Sequence, residues 1–324
     1  FAEQSEIGSA ERLGRHLLAG GDAQGAIEPL AAGADEHIRR GDLRVALGLL
    51  LDRDAALSAI GASPSDPRWA QGWALCAFVE TQRGRLDEAL GWVRSVQAGA
   101  RRSSWAPALA LALFARARVE LMRGHLGESR RICEEARRIF ADLGDEAGAT
   151  RCLAWLGIVT MESGDSRGAL SFLRQAYDRS ERSGDEAGAA SALYELGNAE
   201  RRVGGGERAR RLFLRAVALC EKIGLRQGAA NAMVGLGEVE RAKGDFDGAE
   251  HAYAKALSIH ETIGSANAAV TRLYLGLARL GRGDYPGAAA IFARTQPELE
   301  QSGRRGLLGC VHVEQLPCCA ALGD

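Results

Sequence analysis

Residues 143–157 read LGDEAGATRCLAWLG, and residues 183–197 read SGDEAGAASALYELG. The phrase Gly-Asp-Glu-Ala-Gly-Ala recurs in register 40 residues apart. It is either a ligand-binding loop used twice or the seam of a structural repeat. Extending the register decides for the seam. Gly84, Gly124, Gly164, Gly204 and Gly244 are each 40 residues apart, Gly283 follows after 39, and Gly144, Gly184, Gly224 and Gly264 fall halfway between. A fixed period of this length marks stacked supersecondary units. Between the glycines the pattern is helical: in AGAASALYELGNAERRV (187–203), Ala189, Leu193, Leu196 and Val203 recur at helical spacing. Proline is absent from 108 through 285 and strand-like alternation is missing, so the fold class is all-α.

The Gly-Asp dipeptide has a physical role in this scheme. Glycine just past a helix end takes the left-handed conformation at little steric cost. Aspartate in the next position can accept from the free backbone N–H groups of the following helix. Gly-Asp at 21–22, 41–42, 144–145, 164–165, 184–185, 244–245 and 283–284 therefore ends one helix and starts the next, and turns this short force antiparallel neighbours. Within each period certain positions stay small: Gly157, Gly197, Gly237 and Gly276 before the turn, and Ala169, Ala209, Ala249 and Ala288 after it. Leu153, Leu193 or Met233 stands four residues before the small glycine, and Phe213, Tyr253 or Phe292 closes the far end.

In these positions LYELGNAERRVGGGERARRLFLRA (193–216) and MVGLGEVERAKGDFDGAEHAYAKA (233–256) resemble the tetratricopeptide repeat (TPR) family. The family's aromatic after Leu-Gly is replaced by Glu200 and Glu240, and its closing proline is missing. The 40-residue period and LYELGN look most like the repeats of Pins-type cell-polarity scaffolds. Similar long repeats occur in bacterial peptide-sensing regulators. The stretch 13–57, with only 20 residues between turn glycines, is similar to helical arrays in large bacterial signalling proteins.

The resemblance implies a TPR-like α-solenoid, a right-handed superhelix of antiparallel helix pairs. Three segments are expected: atypical N-terminal helical repeats over 1–63, repeats of about 40 residues over 64–303, and the final helix of an incomplete repeat over 304–324. GASPSDPR (61–68) reads as a bend, with Asp66 placed to cap and Pro67 suited to a first helical turn. The chain starts at Phe1 and ends in an unfinished pattern, so it reads as a piece of a longer protein.

Composition bounds the function. Lys plus Arg number 41 against 42 Asp plus Glu, so the formal net charge is −1 and no general pull toward nucleic acid or anionic membrane is expected. No apolar run approaches the roughly 18 residues of a membrane span. The seven cysteines include no CxxC pair and read as small core residues of a reducing, cytoplasmic compartment. The six histidines show no zinc-ligand spacing. Gly204-Gly205-Gly206 with Arg208, Arg210 and Arg211 lacks the Lys-Ser/Thr of a phosphate loop and has no preceding strand. No nucleophile stands beside a base, so no enzyme, cofactor or metal is expected.

What remains is surface. In the TPR family the first helix of each pair lines the concave face. Carried over residue by residue, that face presents Arg118, then Arg151, Trp155 and Glu162, then Tyr194, Asn198 and Arg201, then Asn231, Glu238 and Arg241, then Tyr274. Tyr194, Asn198 and Arg201 stand at i, i+4 and i+7, on one helix face and outside the packing positions of the repeat. Asn198 occupies the asparagine of the family's Leu-Gly-Asn phrase; Ile158, Glu238 and Leu277 take its place elsewhere. Arg130, Arg137 and Arg210 fall on the outer helices. The leading expectation is a non-catalytic module that binds a protein or peptide segment in a groove. The alternatives are a sensor arm for a small molecule or peptide controlling an attached kinase or nucleotide-binding module, and an architectural module that self-associates through an exposed terminal face.

An extended array of 324 residues has a radius of gyration well above the ~20 Å of a compact domain of this length. Small-angle scattering measures it; a value at the compact limit removes the repeat assignment.

Overall fold

The computed structural model describes residues 8–100, 105–265, 267–301, and 311, 315, 317, 318, 320 and 321. Among them are fifteen helices and no strand. In chain order they are α1 (Ser9–Ala19), α2 (Ala23–Arg40), α3 (Leu43–Ala59), α4 (Pro67–Gln82), α5 (Leu86–Ala100), α6 (Ala106–Met122), α7 (Leu126–Asp142), α8 (Glu146–Glu162), α9 (Ser166–Ser183), α10 (Glu186–Arg202), α11 (Gly206–Lys222), α12 (Arg226–Ala242), α13 (Phe246–Thr262), α14 (Ala268–Arg282) and α15 (Tyr285–Gln301). Most of the segment 304–324, where a final helix is expected, lies outside the described residues. The chain divides into two units, residues 1–188 and 189–324. Within each unit most helices pack on their sequence neighbours, as a repeat fold requires.

The seam at 183–188 shows how a turn is made. Gly184 has φ 71°, and its N–H donates to the Glu181 carbonyl while the Asp185 N–H reaches back to the Ser180 carbonyl. A side chain at Gly184 would meet left-handed strain, and glycine avoids it. The Asp185 carboxylate then accepts from the Gly188 N–H at 2.9 Å. Asp22, Asp145, Asp165, Asp245 and Asp284 make the same cap. Asp42 is the exception. It makes no side-chain cap bond, and its carboxylate instead lies 3.3 Å from His37 Nδ1.

The small positions are seats for rings. A Cβ at Gly197 would lie 2.6 Å from Phe213, one at Gly237 2.5 Å from Tyr253, and one at Gly276 2.5 Å from Phe292. All three rings are fully buried. In the first unit Leu173 takes this place against Gly157.

A second ladder with the same period lies inside. Glu80, Glu120, Glu200 and Glu240 are buried near the ends of α4, α6, α10 and α12, and Thr160 holds the place in α8. A buried carboxylate is costly unless it is paired. Glu80 meets Arg83 at 3.0 Å, Glu120 meets His125 at 2.8 Å and Glu240 meets Arg210 at 2.7 Å. Glu200 and Glu240 stand where the resembled repeats carry an aromatic, and at 240 an ion pair takes the place of the ring. Arg130 likewise donates to Thr160 at 2.9 Å, and Glu250 pairs with Arg279 at 2.9 Å. Arg130 and Arg210 are thus fasteners between successive repeats, not free outer residues.

The break at 61–68 is a bend with a buried core running past it. Leu30 and Leu49 pack in one cluster with Cys76 and Val79. Asp66 caps α4 through the Arg68 N–H at 2.9 Å, and Pro67 opens the helix. Arg53, only 3% exposed, donates to the Arg68 carbonyl at 2.6 Å and to Asp54 at 3.2 Å. Trp73 donates to the other Asp54 oxygen at 3.1 Å. Burial pushes the Asp54 carboxyl up to about 6, against the pull of Arg53.

Gly197→Leu is far more damaging than Gly205→Ala. The first drives a side chain into fully buried Phe213 and costs about 3 kcal/mol or more. At Gly205, φ is −81° and a Cβ would meet the far end of the Glu200 carboxylate at 2.6 Å. The matching Asp165 and Asp245 carry a Cβ, so that carboxylate can swing aside, and the expected cost is about 1 kcal/mol or less. Urea unfolding of both variants measures the difference; equal losses contradict the seat.

Candidate functional site

The expected face residues fall in both units, and each unit arranges its share differently. In the first, Arg118 of α6 lies between the Phe78 ring of α4 at 5.2 Å and the Trp155 ring of α8 at 5.3 Å. Its guanidinium donates to the Gln82 side chain at 2.6 Å. Trp155 stands edge-on to Phe114, with centroids 6.1 Å apart, and donates to Ser129 Oγ at 3.3 Å. Arg118 and Trp155 are therefore brought together, as a cation held between two aromatic faces. Arg151 sits over Phe140 at 5.9 Å, and Glu162 is exposed at the end of α8. Neither adds to the Arg118–Trp155 pair.

In the second unit α10 presents Tyr194, Asn198 and Arg201, all half-buried. Tyr194 packs on Phe213 with ring centroids 6.0 Å apart. This corrects the expectation that it stands outside the packing positions: Gly197 brings the Phe213 ring up beside it. Burial pushes the Tyr194 phenol up to about 12, and the nearby Glu195 charge adds to this. Asn198, through a hydrogen bond, and the Arg201 charge oppose that rise. Tyr274 of α14 also acts on the same hydroxyl. The Asn198 amide donates to Glu195 at 3.2 Å.

The next repeat carries the same face with its charges closed. Arg241 donates to both Glu238 oxygens, at 3.1 and 3.4 Å, and the Tyr253 hydroxyl donates to Glu238 at 2.6 Å. Burial and the Glu238 charge hold the Tyr253 phenol well above the usual phenol range. Tyr274 stacks on Tyr253, with centroids 5.7 Å apart and planes 18° apart. Positions 198 and 201 match 238 and 241, but an amide stands at 198 in place of the carboxylate. Among the described residues Arg201 consequently has no ion-pair partner, and its Nε is buried with no acceptor. The face carries this open cation near the Tyr194 phenol.

Asn231 belongs elsewhere. Its Oδ1 accepts from Gln227 at 3.0 Å and from Asn267 at 3.2 Å, in a network centred on His260. His260 is 1% exposed, with Nδ1 2.9 Å from Thr271 Oγ1. Thr271 gives its own proton to the Asn267 carbonyl at 3.0 Å, so it accepts from Nδ1–H. Nε2 is then the bare acceptor for Gln227 at 3.2 Å. Burial lowers the His260 pKa to about 4. No helix among the described residues is long and apolar enough to cross a membrane, and among them no group of three or more His, Cys, Asp or Glu could hold a metal ion.

The tetratricopeptide repeat family matches residues 188–262 and, overlapping them, 228–296. The matched stretch is thus built of tetratricopeptide repeats, and the described chain as a whole has an all-α, tetratricopeptide-repeat-like fold. Solved structures share its fold. A Rap protein complexed with competence and sporulation factor is 15% identical, with a TM-score of 0.62 over 98% of this chain and 99% of that one. A signal-transduction ATPase with a tetratricopeptide repeat sensor, from Pyrococcus horikoshii, is 15% identical, with a TM-score of 0.60 over 95% of this chain and 47% of that one. BtubC from P. vanneervenii is 20% identical, with a TM-score of 0.53 over 69% of this chain and 92% of that one. Among curated protein sequences none matches the chain.

The His260 network makes stability depend on pH. The folded pKa is about 4 and the unfolded value about 6.5, so the unfolded chain takes up the proton first. Stability from this group is full above about pH 6.5 and is lost as the pH falls toward 4, with a slope of up to ~1.4 kcal/mol per pH unit. Urea unfolding across that window, wild type against His260→Gln, measures it; identical slopes contradict a neutral buried His260.

Proposed function

We propose that the second unit binds a segment of a partner protein along the α10–α12–α14 face, with Tyr194, Asn198 and Arg201 as its principal contacts. Tetratricopeptide repeats make interaction and regulatory modules, and this chain is one. The observation that carries the finer reading is Arg201. A half-buried guanidinium with no counter-ion retains donors for a partner, whereas Glu238 and Arg241 have spent theirs on each other. Tyr194 and Tyr274 supply aromatic surface beside it, and aromatic and arginine side chains dominate interface energies. The Rap structure holds competence and sporulation factor and the ATPase carries a repeat sensor, which supports a segment-binding, regulatory role for this chain. The division into segments 1–63, 64–303 and 304–324 belongs to the same proposal. So do a non-catalytic role and a cytoplasmic setting.

Asn198→Ala with Arg201→Ala tests the face, and Tyr194→Phe tests the phenol hydroxyl without removing the ring that packs on Phe213. Arg211→Ala with Lys255→Ala, exposed on α11 and α13, is the control. Arg130 and Arg210 do not serve as controls, because they fasten repeats. Partners are first captured with the wild-type chain and then titrated against each variant. The face variant weakens binding at least tenfold, about 1.4 kcal/mol, with its melting temperature within a few degrees of wild type. Loss in the outer variant with retention in the face variant places the site elsewhere.

A further inference from the structure

In most repeats the start of the first helix meets the end of the second through apolar side chains. Ala110 packs in one cluster with Ile139, Ala190 with Leu219, and Ala230 with Ile259. The residue after one further turn is Leu143, Ile223 or Ile263. The α8–α9 repeat departs at all three places, which are Thr150, Arg179 and Ser183. Position 180 also changes, from the large Phe140 of the preceding repeat to a small serine.

The result is a cleft of about 420 Å³ between α8 and α9, lined by Glu146, Thr150, Arg179, Arg182 and Ser183. Its size is that of small-molecule sites, about 300–1,000 Å³. Thr150 is 6% exposed, and among the described residues its hydroxyl meets no hydrogen-bond partner. Thr81, Thr160, Thr271 and Thr295 all donate to the carbonyl four residues back, so Thr150 departs from the habit of this fold. Ser180, 2% exposed, also keeps a buried hydroxyl oxygen without a partner. A buried hydroxyl without a partner carries a cost in a seam that is apolar elsewhere, and of the two residues it is Thr150 that lines the cleft. Arg182 uses Nε on the Asp178 carbonyl at 3.1 Å, which leaves its outer nitrogens. Among the described residues the ion-pair partner of Arg179 is Glu146, at 3.6 Å. Two guanidinium forks beside a helix N-terminus suit an oxyanion.

We propose that this cleft binds a small molecule carrying an oxyanionic head group, phosphoryl or carboxylate, held by Arg179, Arg182 and the Thr150 hydroxyl. Glu146, at the rim, is the group the ligand displaces from Arg179. The site lies within the first unit and is independent of the α10 face.

The test is thermal unfolding of the whole chain with phenyl phosphate, benzoate or sodium chloride at equal ionic strength. Phenyl phosphate or benzoate raises the wild-type melting temperature by about 2 °C or more over chloride, and the larger shift identifies the head group. The triple variant Thr150→Ala, Arg179→Leu, Ser183→Ile gives the cleft the side chains of the α10–α11 seam. It melts no lower than wild type in chloride and responds to neither anion. Arg179→Met alone, changing one exposed side chain, loses the same response should the triple variant not fold. No shift in wild type, or an equal shift in wild type and Arg179→Met, overturns the proposal.

Discussion

The contact on which this fold depends is an aromatic ring lying against a missing side chain. Phe213 is approached within 2.6 Å by the place a Cβ would occupy at Gly197 on α10, and within 2.5 Å by that at Gly235 on α12. One ring therefore sets the spacing of three helices at once. Capped glycine turns alone would only reverse the chain direction; they leave the separation of helix axes open. The ring sets it, because interiors are packed too densely to absorb a further carbon. Tyr253 and Phe292 repeat the device at intervals of one period.

The same spacing shapes the α10 face. Bringing Phe213 up against α10 also buries one edge of Tyr194 and lifts its phenol well above its ordinary value. The polarity of the face is then decided by one atom type. A carboxylate at 238 neutralises Arg241, and an amide at 198 leaves Arg201 open. Two repeats with similar sequences thus differ in electrostatics, one with a closed ion pair and the other with an open cation.

Turns, ring seats and the all-α architecture were legible because each rests on a residue type with few alternatives. Glycine is needed where φ is positive, and Asp beside it has a short-range job. Asp42 shows the limit, since a neighbouring histidine can claim the carboxylate that would otherwise cap. The buried glutamates were written at the same 40-residue spacing, yet glutamate in a helix ordinarily faces solvent, so burial did not follow from its identity. Tyr194 and Asn231 misled for a related reason. A helical face has a position from sequence alone, but whether it faces solvent depends on a ring or an amide arriving from another element. The Arg53–Asp54–Trp73 cluster at the bend has no periodic signal, because it occurs once.

The fasteners between repeats are not all of one polarity. Arg210 reaches forward to Glu240, while one period later Glu250 reaches forward to Arg279. Excising the intervening 40 residues, the simplest event in the history of any tandem array, would set Arg210 opposite Arg279 and confront two cations across the new joint. Adding a copy would create the reverse clash of two carboxylates. The array is thus written with a direction and an order that its evenly spaced glycines do not reveal, and unequal crossing-over in this stretch carries an electrostatic penalty that uniform repeats escape.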